Sequence, residues 1–216
     1  MAKQEGRPGT GPAKLRVATR ATMRLPGGGS ACHHLSPVQT RNLNLIPHLP
    51  EDLFALADSS AAYEARSGFR IAAGVREFLL QASPEFLAQL RGARTPDPWK
   101  FGFAVVHSAE NIVIGMCGFA GSRGTEGGVE IAYSVAPSYE GRGYATEVAQ
   151  ALIEFAQANG LTELCAHTLP EENASTRVLE KCGFQKIGEV VDSESQAVWK
   201  WSRGLRKMPL EKRDSP

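Results

Sequence analysis

A run of strict alternation, Val129-Glu130-Ile131-Ala132-Tyr133-Ser134-Val135, passes through a short loop into an amphipathic helical pattern that begins near Gly143. On an extended strand Val129, Ile131, Tyr133 and Val135 fall on one face, and Glu130, Ala132 and Ser134 on the other. From about Gly143 to Asn159, the apolar residues Val148, Ala151, Leu152 and Phe155 recur at helical spacing, with Glu147, Gln150, Glu154 and Gln157 opposite them. Gly160 is placed to stop that helix in the left-handed conformation. A strand that turns directly into such a helix must bury a face of each. The chain therefore needs a sheet with helices packed on it.

Chemistry is expected in the loop between the two elements, Glu140-Gly141-Arg142-Gly143-Tyr144-Ala145. The first N–H groups of a helix lack partners within it and, together with the macrodipole, make an anion site. Gly141 and Gly143 carry no Cβ, so a bulky polyanion can approach the backbone. Arg142 adds a positive charge, and Glu140, of the wrong sign, is expected to point away. Other loops of this kind fit poorly. A Walker loop ends in Gly-Lys-Ser/Thr, and a hydrolase elbow needs Gly-x-Ser-x-Gly; the sequence has neither. A dinucleotide fingerprint wants Gly or Ala where Thr146 stands, at the start of a parallel unit.

The flanking patterns mix strands and helices. Asn42–Ile46 alternates like a short strand. Pro50-Glu51-Asp52 opens a helix with Leu53, Leu56 and Ala57 on one face. Val75, Phe78, Leu79 and Ala82 predict a second helix. Ser83-Pro84 begins a third that buries Phe86, Leu87 and Leu90. Strands over Phe101–Val106, Ile112–Phe119 and Val129–Val135 predict an antiparallel meander, joined by a turn at Ala109-Glu110-Asn111 and a Gly-rich stretch from Gly121 to Gly128. A strand at Leu164–Thr168, a helix from Asn173 to Lys181 and strands near Phe184–Val191 and Ala197–Trp201 follow. The expected fold class is α+β with a mixed sheet in a single domain, residues 37–205, between basic tails at 1–36 and 206–216.

Charge is distributed unevenly. Residues 1–36 carry a net +5 and residues 203–216 a net +3, which leaves 37–202 at −7 against a total of +1. An acidic body suits a cationic partner such as a protonated amine through long-range steering, although acidity alone also serves solubility. The N-terminal stretch is rich in Gly, Pro and Arg and cannot bury enough apolar surface to offset ordering entropy, so it is expected to be disordered. No apolar run approaches the roughly 20 residues of a membrane span. Cys32, Cys117, Cys165 and Cys182 form no CxxC pair and read as reduced thiols of a cytoplasmic protein, three of them packed as small apolar groups. Cys32-His33-His34 lacks a second ligand pair, so no metal is expected.

At the loop the sequence resembles the GNAT N-acetyltransferases, whose pyrophosphate signature Gln/Arg-x-x-Gly-x-Gly/Ala is matched by Glu140-Gly141-Arg142-Gly143-Tyr144-Ala145, with Glu140 departing from the first position. Asn173-Ala174-Ser175-Thr176-Arg177-Val178-Leu179-Glu180-Lys181-Cys182-Gly183-Phe184 is similar to the family's Asn-x-x-Ser helix ending in Gly-Phe. Thr40–Leu45 with Pro50-Glu51-Asp52 resembles the opening of the RimJ/RimL-like branch, which acetylates protein N-termini. The resemblance covers about residues 38–202 and implies a fold whose sheet splays between Val129–Val135 and Leu164–Thr168. It also implies acetyl-CoA as donor. Val135, Gly141, Arg142, Gly143, Tyr144, Ala145, Thr146, Asn173 and Ser175 would hold it, and a primary amine, of a protein N-terminus or a small molecule, would accept the acetyl group.

Direct attack by an amine first needs a proton removed. Glu130 is the first candidate base, since it shares a strand face with Ser134 beside the expected opening; His167 has a suitable ordinary pKa. An N–H near Ser134 or Val135 would stabilise charge on the acyl oxygen. Many GNAT enzymes place a tyrosine acid where Leu179 stands, which leaves Ser175 as the fallback proton donor. His107 reads as a turn residue, Trp99 as a core or rim aromatic, and Trp199 and Trp201 as packing on the last strand. Two other functions stay open on sequence: a catalytically idle acyl-CoA-binding module, and an RNA-associated protein using the basic tails. Nucleic acid is not the expected partner. A homodimer is compatible with the sequence.

Overall fold

The structure, a computed structural model, describes residues 36–81, 84–91, 93–121, 128–192 and 196–206. The expectations for the tails at 1–35 and 207–216, the Cys32-His33-His34 cluster, Ala82 and Ser83, the side chain of Leu87 and the Gly-rich stretch at 122–127 lie outside the described residues. In chain order the elements are strands β1 (Val38–Gln39) and β2 (Leu43–Pro47), helices α1 (Pro50–Asp58) and α2 (Ser60–Ser67), strand β3 (Arg70–Ile71), and helices α3 (Val75–Leu80), α4 (Pro84–Arg91) and α5 (Pro98–Phe101). Strands β4 (Phe103–His107), β5 (Ile112–Gly121) and β6 (Val129–Val135), helix α6 (Tyr144–Ala158), strand β7 (Glu163–Thr168), helix α7 (Ala174–Lys181) and strands β8 (Gln185–Val191) and β9 (Ala197–Gly204) follow.

The strands form one mixed sheet in the order β1-β2-β4-β5-β6-β7-β9-β8, with β3 parallel to β5 beside this path. The expected meander is present: β4, β5 and β6 pair antiparallel in succession. A parallel crossover then carries the chain from β6 through α6 to β7. Helix α6 sets its apolar stripe on the sheet, where Val148 and Leu152 are wholly buried. Phe155 meets Phe119 at 5.8 Å and the edge of Phe103 at 5.3 Å, and Trp99 joins this stack 4.5 Å from Phe119. Truncating a residue as buried as Leu152 to alanine costs about 2–5 kcal/mol, so this face fixes where the start of α6 lies. Trp99 is a core residue, and Trp201 is buried with its Nε1–H donating to Thr168 Oγ1 at 3.0 Å. Cys117, Cys165 and Cys182 are buried and take part in no disulfide, and burial pushes the Cys165 thiol up to about 12.

Some elements differ from the sequence reading. The strand expected from Phe101 begins only at Phe103. Asp97 caps a turn of helix over Pro98–Phe101 by accepting from Trp99 N–H at 3.1 Å. Helix α2 was not anticipated; Ser59 caps it by accepting from Ala62 N–H at 3.1 Å, and only Tyr63 on it is buried. Phe86 is half-buried, whereas Leu90 is fully buried. Both faces of β6 are covered over its first four residues, so the face of Glu130 and Ala132 is not a solvent face.

Candidate active site

Strands β5 and β6 pair at seven consecutive positions, from Gly115↔Val135 to Gly121↔Val129. Strands β6 and β7 pair at one, Glu130↔Cys165, and then part. The two strands are parallel, so their C-terminal ends, unpaired with each other, point together toward the loop to α6 and the start of α7. Ala136 N–H donates to Ile114 O at 2.7 Å. By the alternation of a strand, the N–H and C=O of Val135 turn the other way, into the gap.

At the mouth of the gap the chain turns through two glycines into α6. Gly141 and Gly143 have φ of 73° and 86°, in the left-handed region, and among the described residues a Cβ at either would meet nothing within 4 Å. The glycines thus shape the turn and leave open space over it. No side chain caps α6, and the first amide to find an acceptor is that of Glu147, 3.1 Å from Gly143 O. The amides at Tyr144, Ala145 and Thr146 are therefore free to meet an anion at the positive end of a 15-residue helix. Arg142 is exposed and folds back over the loop; its guanidinium donates to Ser138 O at 2.9 Å and lies 5.3 Å from the centre of the Tyr139 ring. Glu140 is exposed at the rim.

Contacts that sequence reasoning missed hold this loop. His107 Nε2 lies 2.9 Å from the Tyr144 hydroxyl, His107 Nδ1 accepts from Glu110 N–H at 3.3 Å, and the Tyr139 hydroxyl donates to Glu110 Oε2 at 2.6 Å. His107, read from sequence as a turn residue, thus ties the β4–β5 turn to the first residue of α6. Glu147, placed by periodicity on the outer face, instead grips the β1–β2 turn. Its Oε1 accepts from Thr40 Oγ1 at 2.5 Å and Asn42 N–H at 2.7 Å, and its Oε2 from Asn42 Nδ2 at 2.9 Å.

Across the gap, Asn173 caps α7. Its Oδ1 accepts from the amides of Ser175 and Thr176 at 2.9 and 3.1 Å, and Thr176 Oγ1 accepts from Asn173 N–H at 3.0 Å. Asn173 thus spends its oxygen on its own helix. Ser175 is half-buried in the first turn, and Leu179 is buried and offers no proton. The start of α6 and the end of α7 meet where Cys182 Sγ lies 3.7 Å from Thr146 O.

Where β6 and β7 pair, the structure joins two candidate residues that sequence reasoning treated separately. Glu130 Oε1 lies 3.0 Å from His167 Nδ1, with side chains 12% and 28% exposed. Glu130 stands at the position where β6 pairs with β7, and His167 lies two residues beyond Cys165 on β7. A carboxylate and an imidazole in contact, one sheltered and one reaching solvent, can take up a proton and pass it outward.

An unpaired stretch between parallel strands, a helix start without a side-chain cap and a carboxylate–imidazole pair beside them suit acyl transfer. Comparison with protein families matches residues 42–185 to the acetyltransferase (GNAT) domain. The chain belongs to this family of acetyltransferases. The N-acetyltransferase p20 of Bacillus licheniformis is 32% identical over 93 residues, 43% of this GNAT chain and 52% of the relative, so the chain spans about half the length of that relative. Among solved structures, RimL, a ribosomal α-N-protein acetyltransferase in complex with coenzyme A, is similar with a TM-score of 0.56 at 16% identity, covering 79% of this chain and 98% of that one. A ribosomal-protein alanine acetyltransferase from Vibrio fischeri gives 0.54 at 18% identity over 80% and 99% of the two chains. RimJ of Mycobacterium smegmatis gives 0.52 at 20% over 77% and 84%. At these identities the likeness establishes a shared fold, the GNAT fold with its mixed sheet flanked by helices.

Proposed function

We propose that this GNAT protein transfers an acetyl group from acetyl-CoA to a primary amine, with Glu130 as general base. The observation that carries the reading is the alignment of three features along one gap: the uncapped, glycine-shaped start of α6, the free main-chain groups of Val135, and the Glu130–His167 contact where β6 and β7 pair. The residues present fit the donor. The open space over Gly141 and Gly143 is a cradle that any Cβ would begin to fill, and the amides of Tyr144, Ala145 and Thr146 converge on it. Arg142 adds charge at the rim. The C=O of Val135 accepts from an amide of the cofactor's arm, in the manner of an added strand, and its N–H is left for the acyl group. Asn173 and Ser175, at the start of α7, form the far wall. That RimL, with the same fold, is described with coenzyme A agrees with this assignment.

Bound there, acetyl-CoA supplies the acetyl group as an activated thioester. The chain's own residues do the rest. An aliphatic ammonium has a pKa of about 10.4 and an α-ammonium about 8, so at neutral pH a base must hold the departing proton. Glu130 takes it, directly or through one water, and His167 Nδ1, 3.0 Å from Glu130 Oε1, passes it toward solvent. The Val135 N–H, turned into the gap, stabilises negative charge that develops on the acetyl oxygen. Ser175 provides the hydroxyl nearest the start of α7 for the departing sulfur, since Leu179 cannot. The −7 charge of residues 37–202 draws a cationic amine toward the site.

The test pairs binding with turnover. Acetyl-CoA is expected to raise the thermal midpoint, because a ligand selective for the native state stabilises it by mass action. Thiol release with a panel of peptides and amines is expected to depend on Glu130. Glu130→Gln should lower kcat by about 10²–10⁴ with coenzyme A affinity unchanged. No midpoint shift at millimolar acetyl-CoA sinks the donor assignment. Normal turnover by Glu130→Gln removes Glu130 from the mechanism.

A further inference from the structure

A cavity lies where α3, α4 and α5 lean over the outer half of β5, lined by Phe78, Leu79, Phe86, Phe101, Met116 and Ala132, with Gly118 and Ala120 in the floor and Lys100 at the rim. We propose that it is the acceptor pocket and that the acceptor is a primary amine with a hydrophobic group near its nitrogen, that group seated among the phenylalanines and the nitrogen directed to Glu130. This rests on the acetyl-transfer reading above.

The register places the floor of the cavity and the base on one face of the sheet, while Cys117 and Phe119 of the lining belong to the other. Gly118 pairs with Ala132 and Ala120 with Glu130, and strand alternation puts Met116, Gly118, Ala120, Glu130 and Ala132 on the same side. Small residues at 118, 120 and 132 leave a depression between sheet and helices, and phenyl rings from three helices wall it. Ala120 and Ala132 are buried, Phe78 and Phe86 are half-buried, and Lys100 is exposed, so the pocket opens to solvent between the helices and ends at the sheet. From Ala132 to Glu130 the strand advances about 6.7 Å, a distance that a glutamate side chain and an amine nitrogen span together.

The lining also selects. Among the described residues the only charged side chain on it is Lys100, and this is a cation. A second ammonium, as in a polyamine, would lose its hydration against phenyl rings and beside a like charge, with no carboxylate on the lining to compensate. An aliphatic or aromatic group loses nothing of this kind and gains by leaving water. Shape and charge therefore favour a single ammonium flanked by apolar carbon. Two sources carry that chemistry: a peptide whose first residue is Phe, Leu or Met, and a free arylalkylamine.

The experiment measures kcat/KM with acetyl-CoA for peptides identical except for a first residue of Phe, Leu, Ser or Asp, and for phenethylamine, ethanolamine and spermidine. The expected result is a preference of about 10- to 100-fold for the apolar member of each set; which set is preferred identifies the source. Ala132→Leu, which fills the floor, should raise KM for the best apolar amine by about tenfold or more and leave KM for acetyl-CoA unchanged. Should Ala132→Leu fail to fold, Phe86→Ala, at a half-exposed position, should instead collapse the ratio of apolar to polar acceptors. Transfer with no preference for apolar acceptors, or an unchanged ratio in a folded variant, overturns this inference and leaves acetyl transfer standing. No transfer to any amine overturns the acetyl-transfer reading, and this one with it.

Discussion

His48, just past the end of β2, gives a sharp test of how burial sets the pH dependence of this fold. The residue is 3% exposed, and Nε2 has no hydrogen-bond partner among the described residues. Burial pushes the ring pKa down to about 3, against a smaller opposing effect of a backbone hydrogen bond at Phe103. In the folded protein the ring is therefore neutral throughout the ordinary pH range. In the unfolded chain it takes up a proton near pH 6.5. The folded pKa lies below the unfolded one, so the stability associated with neutral His48 is complete above pH 6.5 and is lost as pH falls. The slope is about 1.36 kcal/mol per pH unit between 6.5 and 3. Going from pH 7 to pH 5 should cost about 2 kcal/mol, a fall in thermal midpoint of about 4–8 °C for a domain of this size. The assay is a set of thermal melts of wild type and His48→Met at pH 7, 6 and 5. Loss of the ring contact shifts the variant by a constant amount, and other acid-sensitive groups are common to both proteins. Only the difference in slope reports on His48. The variant should lose about 2 kcal/mol less than wild type between pH 7 and 5. Parallel curves would refute the reasoning and mean that His48 is hydrated or partnered in solution.

At the cradle, Gly143→Val should weaken coenzyme A binding by at least about tenfold, measured by calorimetry, and cost only about 1–2 kcal/mol of folding, because its Cβ meets no neighbour and the penalty is that of a left-handed backbone. Wild-type affinity in that variant would place the phosphates elsewhere. Tyr144→Phe removes the hydroxyl 2.9 Å from His107 Nε2 and should lower stability by about 1 kcal/mol while raising the Kd for coenzyme A and sparing kcat; an unchanged Kd would leave the His107 contact purely structural. Glu147→Gln should lower the thermal midpoint by a few degrees and leave coenzyme A affinity equal or slightly higher. A clear loss of affinity in a folded Glu147→Gln protein would show that the carboxylate shapes the cradle.

What could be read from the sequence was what depends on near neighbours. The strand over 129–135, the loop and α6 sit in one stretch, and their alternation and helical spacing placed them almost to the residue. The start of α7 was legible for the same reason, since Asn173 and Thr176 are three apart. Helix α2 escaped because it buries only Tyr63 and so shows no stripe, and α5 because Phe101 and Phe103 alternate like a strand even though Asp97-Pro98 marks a helix start. Alternation put Glu130 on the same strand face as Ser134, but it cannot report what packs above a strand, so the burial of that face was not legible. The contact of Glu130 with His167 joins residues on different strands. The Tyr144–His107 and Glu147–Asn42 contacts span 37 and 105 positions, and no local pattern announces them.

Helix α6 carries a carboxylate in its first turn, beside the place proposed for a polyanion. Two effects of opposite sign meet at Glu147. A unit charge about 10 Å from a phosphate costs about 0.4 kcal/mol in water and roughly 1.7 kcal/mol at an effective dielectric of 20, and salt reduces both. The same carboxylate accepts three hydrogen bonds from Thr40 and Asn42, which fasten the β1–β2 turn across the helix. Burial alone would raise its pKa, but the bonds from Asn42 and Thr40 outweigh that and hold it below the usual carboxylate range, so it stays charged at neutral pH. Glutamine would keep the bonds to one oxygen and set an amide NH₂ against that of Asn42, a loss of about 1–2 kcal/mol. The fastening therefore outweighs the repulsion. A helix that must hold its N-terminus open for a ligand cannot cap itself with a side chain there, and the bonds of Glu147 one turn further in anchor the helix start from the side instead.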